Sequence, residues 1–303
     1  MAERRFDGRV AVVTGAGRGL GREYAMLLAS KGARVVVNDN GSALDGSGND
    51  AGLAEAVVGD IRQAGGEASA CTESVATEAG GKAIVQHALD RFGRLDALIH
   101  NAGNVRRDAA SQLSVADFRA VVDVHLMGAF HLTRAAFPVM AEAKFGRVVY
   151  VSSIAGLYGA EELICYGAAK TSLIGVNNVV AIEGARHNIK CNIMAPGAVT
   201  RMADGIDMSR MPAMGADLVA PAVGWLAHES CTVSGEMFAA LAGRVARMML
   251  AETEGVYRAH WSIDDIAENI DAIRNTDKLW ILPTLSGHDE HIRRSIEMTR
   301  AAD

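Results

Sequence analysis

Short apolar runs recur along the chain at residues 10–13, 34–37, 95–99, 147–151 and 189–194, and the stretches between them return apolar residues at helical spacing. Strand-like runs alternating with amphipathic helices predict a parallel sheet covered by helices on both faces, an α/β, doubly wound architecture. The stretch 40–50 is rich in Gly, Asn, Asp and Ser and reads as a mobile loop after the second strand, with the helical pattern resuming at 53–64. The alternation supports one dinucleotide-binding and catalytic domain over 1–245. Residues 246–303 then form a C-terminal helical extension, ending in a helix at 291–299, packed on that domain or on a partner subunit.

Between the first apolar run and a helical pattern over 22–30 lies Thr14-Gly15-Ala16-Gly17-Arg18-Gly19-Leu20-Gly21. A strand, a glycine-rich turn and a helix start in this order suit a Rossmann-like site. Glycines reach positive φ and admit a pyrophosphate close to the backbone, and the helix N-terminus attracts the anion. Gly15, Arg18, Gly19, Leu20 and Gly21 are therefore candidate cofactor contacts. Asp39 ends the second run eighteen positions after Gly21, close to the offset at which a carboxylate meets the adenosine ribose hydroxyl. Such a carboxylate repels a 2′-phosphate and favours NAD. Arg18 beside the turn would favour NADP if it outweighed Asp39. Further along, His100-Asn101-Ala102-Gly103 closes a strand with small residues that let a ribose approach, and Asn101 can fix the backbone there.

Ser153 follows the run at 147–151, and Tyr166-Gly167-Ala168-Ala169-Lys170 comes thirteen residues later. Four residues apart on a helix, Tyr166 and Lys170 share a face. A phenol titrates near pH 10, so an adjacent ammonium that lowers this value would make Tyr166 a workable acid-base group. Ser153 at the carboxyl edge of the sheet would hold the reacting oxygen.

Taken together, Thr-Gly-x-x-x-Gly-x-Gly, Asn-Ala-Gly, the Ser, Tyr-x-x-x-Lys and Pro196-Gly197 resemble the short-chain dehydrogenase/reductase family over residues 6–240. The subgroup formed by the dehydrogenase units of multifunctional β-oxidation enzymes is similar in its long loop after Asp39, in Val124-His125-Leu126 and in Trp225-Leu226-Ala227-His228-Glu229-Ser230-Cys231. The resemblance implies that Ser153, Tyr166 and Lys170 are catalytic, with Tyr166 and Lys170 also contacting the nicotinamide ribose. It implies that Ser74 and Val75 flank the adenine, that Asn101, Ala102 and Gly103 line the cofactor, and that Pro196, Gly197, Val199 and Thr200 meet the nicotinamide end. Two positions depart from the common pattern. His125 stands where many members carry Asn, and reads as a proton-relay residue or as a satisfied core histidine. Thr200 falls one position early after Pro-Gly.

The function implied is NAD-dependent interconversion of a secondary alcohol and a ketone, on a 3-hydroxyacyl-CoA or a hydroxysteroid. An NADP-dependent reductase of another ketone is the second reading, and a catalytically silent dinucleotide-binding module the third. Met202, Met208, Met211 and Met214 make 201–217 read as an apolar lid over a lipid-like substrate or as a core helix. Arg293 and Arg294 suit a CoA phosphate less well than a solvated helix face.

With 303 residues, half of them hydrophobic, the chain can bury a sizeable core. A net charge of −6 without a basic patch argues against a nucleic acid or an anionic membrane as partner. Cys71, Cys165, Cys191 and Cys231 lack metal-ligand spacing and read as buried thiols, so no metal is expected. No apolar run suits a leader or a membrane span, and a cytoplasmic location is the expectation. Helical stretches 114–141 and 163–187, apolar around more than one face, predict a homodimer or homotetramer.

Overall fold

The computed structural model describes residues 3–198 and 214–300, and strands and helices alternate through most of them. In order come β1 (Val10–Thr14), α1 (Gly19–Ser30), β2 (Arg34–Asn38), α2 (Gly52–Gln63), β3 (Glu67–Cys71), α3 (Glu78–Phe92) and β4 (Ala97–His100). There follow α4 (Val115–Val122), α5 (Gly128–Glu142), β5 (Gly146–Val151), α6 (Ile154–Tyr158), α7 (Ile164–Gly184), β6 (Ile189–Gly197), α8 (Ala220–Ala227), β7 (Met237–Leu241) and β8 (Arg244–Met248). The eight strands form one sheet in the order β3-β2-β1-β4-β5-β6-β7-β8. Pairing is parallel from β3 through to β7. This is the doubly wound α/β fold.

Alternation along the strands feeds two cores. Ala11 and Val13, Val35 and Val37, Ile99, Val149 and Val151 pack with Tyr24, Leu28, Val57, Val58, Ile61, Val223 and Leu226 from α1, α2 and α8. Val12, Val36, Leu98, Val148 and Tyr150 are buried on the opposite face, where α3, α5 and α7 pack together. All four cysteines are buried free thiols. Among the described residues no helix is long and apolar enough to cross a membrane.

Several elements differ from the sequence pattern. Strand β3, with the sequence Glu-Ala-Ser-Ala-Cys, has too little apolar character to stand out, and pairing with β2 from Arg34↔Glu67 to Asn38↔Cys71 makes it a strand. β7 and β8 extend the sheet past the last expected strand through a two-residue turn, Ala242 and Gly243, both at positive φ (47° and 81°), as a type I′ turn requires. The helix expected over 114–141 is interrupted by a π-helical turn at Asp123–Met127. Helix α1 starts at Gly19, three residues earlier than its apolar pattern. The loop expected to be mobile is tied down: the Asp39 carboxylate accepts from Gly41 N at 2.7 Å, and Leu44 O accepts from Val105 N at 3.1 Å across the cleft.

By contact, the chain divides into the units Met1–Arg247 and Met248–Asp303. The second unit contains α9 (Ile263–Glu268), α10 (Ile270–Ile273) and α11 (Gly287–Arg300), together with the antiparallel pair β9 (Glu252–Thr253) and β10 (Leu279–Trp280). Arg293 pairs with Glu290 and Glu297, and Arg294 with Glu290, within α11. Those arginines belong to the helix's own ion pairs. The lid residues Met202, Met208 and Met211 lie outside the described residues, as do Val199 and Thr200.

Candidate active site

Strand order reverses between β1 and β4, and in open α/β sheets the crevice beyond the carboxyl ends of such strands is where ligands bind. A cavity of about 390 Å³ opens there. Its walls include Gly15, Arg18, Gly19, Leu20, Asp39, Ser74, Val75, Asn101, Ala102 and Gly103. Thr14 and Asn101 build it. The Thr14 hydroxyl accepts from the N–H groups of Asn101 and Ala102, both at 3.1 Å, and meets His100 Nδ1 at 3.1 Å. The Asn101 amide donates back to the Thr14 and Gly15 carbonyls at 3.1 and 3.0 Å. This lock presses the two strand ends together so closely that a Cβ on Gly15, which sits at φ 63°, would stand 2.7 Å from Ala102 Cα. A Cβ on Gly21 would run into the Gly15 carbonyl oxygen. Gly21 itself does not line the cavity; it lets α1 approach the turn.

A nicotinamide dinucleotide fits these residues. Arg18, the residue before α1, makes no side-chain cap, so the first-turn N–H groups beside Gly19 and Leu20 remain for an anion. Among the described residues Arg18 Nε is a buried donor without a hydrogen-bond partner, while one terminal nitrogen donates to Ser42 O at 2.7 Å. Asp39 is fixed by Gly17 N on Oδ2 at 2.8 Å and Gly41 N on Oδ1 at 2.7 Å. Each carboxylate oxygen keeps a further lone pair for a hydroxyl at the cavity wall. Asn104, Arg106, Ala120, Asp123 and Val124 extend the lining, as do Ser42, Leu44, Asp45 and Gly46 from the anchored loop. No motif or spacing marks these contacts, because they depend on how the loop after β2 and the segment after β4 fold over the cleft.

The catalytic candidates gather beyond Asn104. Ser153 follows β5 and caps α6, its hydroxyl accepting from Ala155 N at 3.1 Å. The same hydroxyl hydrogen-bonds the Tyr166 side chain. On α7, Lys170 lies one turn on, with Nζ 5.6 Å from the centre of the Tyr166 ring. The Lys170 backbone is held by Ser152 Oγ at 2.9 Å, and Nζ donates to Val151 O at 2.6 Å. Both side chains are buried.

The electrostatics differ from the expectation that Lys170 lowers the phenol. Burial pushes the Tyr166 phenol above its ordinary value, opposed by the Ser153 hydrogen bond and the Arg107 charge. Burial also draws the Lys170 ammonium down to about 7. Low surroundings penalise both charged forms, so the pair holds its proton on the phenol and close to balance on the amine.

His125 is fully buried in the π-helical turn, where such turns often serve a site. Its Nε2 lies 2.8 Å from Asn104 O and 3.3 Å from Asn104 N, so the Asn104 backbone holds this ring nitrogen. Nδ1 is buried without a hydrogen-bond partner among the described residues. The ring meets Tyr166 edge-to-face with centroids 5.4 Å apart. Burial first, and the Lys170 charge second, hold His125 well below its ordinary value. A chain of contacts thus leads from the cavity wall through Asn104 and His125 to Tyr166 and Ser153. Pro196 and Gly197 end β6, where a Cβ on Gly197 would meet the Leu241 side chain; they do not line the cavity.

Residues 9–209 match the family model described as short chain dehydrogenase. Peroxisomal multifunctional enzyme type 2 of Drosophila melanogaster is 45% identical over 252 residues, covering 83% of this chain and 42% of that protein. A short-chain type dehydrogenase/reductase of Mycobacterium tuberculosis is 43% identical over 261 residues, covering 86% of this chain and 91% of its own length. The solved structure of full-length peroxisomal multifunctional enzyme type 2 from Drosophila melanogaster matches with a TM-score of 0.78 at 35% identity, over 97% of this chain and 50% of that one. The chain therefore spans about half the length, or less, of the multifunctional relative.

Proposed function

The chain belongs to the short-chain dehydrogenase family and is an oxidoreductase that uses a nicotinamide dinucleotide, and from that premise we propose an NAD-dependent interconversion of a secondary alcohol and a ketone, on a 3-hydroxyacyl-CoA or a hydroxysteroid. The observation that carries the chemistry is the Ser153 hydroxyl hydrogen-bonded to a buried Tyr166 with Lys170 one helical turn away. The substrate class rests on the sequence resemblance to the dehydrogenase units of multifunctional β-oxidation enzymes.

A bound dinucleotide supplies the hydride acceptor for oxidation and the donor for reduction. The glycine turn and the start of α1 would hold its pyrophosphate, and Asp39 would accept from the adenosine ribose hydroxyl. With two backbone N–H groups already fixing it, the Asp39 carboxylate is held in place and would repel a 2′-phosphate. This favours NAD. Arg18, the residue that would favour NADP, is drawn toward Ser42 O.

At the reacting centre Tyr166 exchanges the proton of the substrate oxygen, and Ser153 holds that oxygen beside the phenol. Lys170 would bond the nicotinamide ribose and, when protonated, favours the phenolate. His125 is a positioning residue. Its ring buttresses Tyr166 edge-to-face.

The test follows NADH absorbance with purified protein, offering NAD or NADP against (R)- and (S)-3-hydroxyacyl-CoAs and a set of hydroxysteroids. Turnover with NAD is expected for one CoA enantiomer or for a steroid. Tyr166→Phe should lower kcat by about 10²- to 10⁴-fold, and Asp39→Ala should move the cofactor preference toward NADP. Turnover undiminished in Tyr166→Phe sinks the acid-base assignment, and silence of the native protein with every pair revives the binding-module reading.

A further inference from the structure

After β4 the chain passes the cofactor cleft and is then pinned against the start of α7. Asp108 N donates to Glu162 O at 3.1 Å, Asp108 bridges to Leu163, and Cys165 Sγ donates to Arg106 O at 3.4 Å. Two consecutive arginines are therefore fixed between the cleft and the helix that carries Tyr166. They have different surroundings. Arg106 lines the cleft, where its Nε donates to Asp117 at 2.9 Å, while Nη1, 3.8 Å from Asp45, makes no hydrogen bond among the described residues. Arg107 is exposed, and no hydrogen bond or ion pair holds it among the described residues. The neighbouring Asp108 carboxylate already accepts from Ala109 N at 2.8 Å.

This unpaired cation lies close enough to Tyr166 for its charge to act on the phenol, against the effect of burial. Among the described residues, Ser153 hydrogen-bonds Tyr166, the His125 ring meets it edge-to-face, and Lys170 Nζ lies 5.6 Å from the ring centre while donating to Val151 O. A guanidinium is weakly hydrated and forms paired, charge-assisted hydrogen bonds with carboxylate and phosphate oxygens. Arg18 and Arg106 face the cofactor cleft, whereas Arg107 is held beside the start of the helix that carries the acid-base residue.

Resting on the alcohol–ketone reading above, we propose that Arg107 selects the substrate by binding an oxyanion that it carries, the carboxylate of a hydroxy acid or a phosphate of a thioester's carrier arm. The shared chemistry is an anionic oxygen group engaged by the guanidinium while the carbinol lies at Tyr166.

The test compares native protein, Arg107→Gln and Arg107→Lys with NAD on four substrates with the same reacting carbon. These are 3-hydroxybutyryl-CoA, 3-hydroxybutyryl-pantetheine, which lacks the phosphates, 3-hydroxybutyrate, and its neutral methyl ester. The readouts are two ratios of kcat/KM, CoA to pantetheine and acid to ester, in which any effect of the charge on Tyr166 cancels. Arg107→Gln should lower one ratio about tenfold, Arg107→Lys should restore part of it, and added NaCl should lower it in the native protein. A fall in the CoA ratio assigns a phosphate, and a fall in the acid ratio a carboxylate. Native turnover with both ratios unchanged in Arg107→Gln overturns the assignment of Arg107. Absence of native turnover on any alcohol instead overturns the alcohol–ketone reading, and this inference with it.

Discussion

At the scale of single residues, the candidate site was legible as identity and spacing, and its electrostatics were not. Ser153, Tyr166 and Lys170 announce themselves by interval, but the sign of their shifts depends on burial that no interval reveals. Lys170 makes this measurable. Its ammonium titrates near 7 in the folded chain and near its ordinary 10.5 when unfolded. Between those values the unfolded chain binds the extra proton, so folding stability rises with pH across that window, by up to about 1.4 kcal/mol per pH unit. Urea unfolding at pH 7, 8, 9 and 10 should show this rise in the native protein and lose it in Lys170→Met. Equal slopes in the two would mean that the lysine is not desolvated as the structure places it. Asn101 is the converse case, since an Asn at a strand end already implied the backbone lock that it now makes. Arg107 gave no signal at all: its unpaired state follows from where Arg106, Asp117 and Asp45 meet.

At the scale of elements, apolar runs located the central strands because those strands are buried on both faces. The same logic missed β3, whose residues are small and whose strand character comes from its neighbour. Nor did the pattern show the π-helical turn at Asp123–Met127, since a single extra residue per turn leaves the apolar periodicity of α4 and α5 nearly intact. That turn matters because it carries His125 toward Tyr166. The glycine turn is the element whose sequence and geometry agree most closely. Close packing of α1 on the turn requires hydrogen at Gly21, where any Cβ meets the Gly15 carbonyl. Gly21→Ala should therefore push α1 away from the turn, weakening NADH binding by tenfold or more and lowering stability by about 1–3 kcal/mol. Fluorescence titration with NADH and urea unfolding would check both. Unchanged NADH affinity would show that the start of α1 does not hold the pyrophosphate.

At the scale of the whole molecule, the two sides of α7 have different surroundings. Its inner face buries Tyr166 and Lys170, while Val179 and Ile182 on its outer side remain about half exposed, as does Phe130 on α5. Buried and exposed apolar residues together occupy much of the circumference of α7, more than one sheet face requires. A second copy covering this surface would both hide the apolar side chains and stiffen the helix that aligns the acid-base pair. Native protein should therefore run as a dimer or tetramer in light scattering coupled to size exclusion. Ile182→Glu, which leaves the inner face untouched, should shift it toward the monomer. If α7 depends on that contact, kcat should fall in proportion to the monomer fraction and recover as protein concentration is raised. An Ile182→Glu protein that keeps the native size would place the assembly surface elsewhere. One that is monomeric yet fully active would show that each copy holds its catalytic helix unaided.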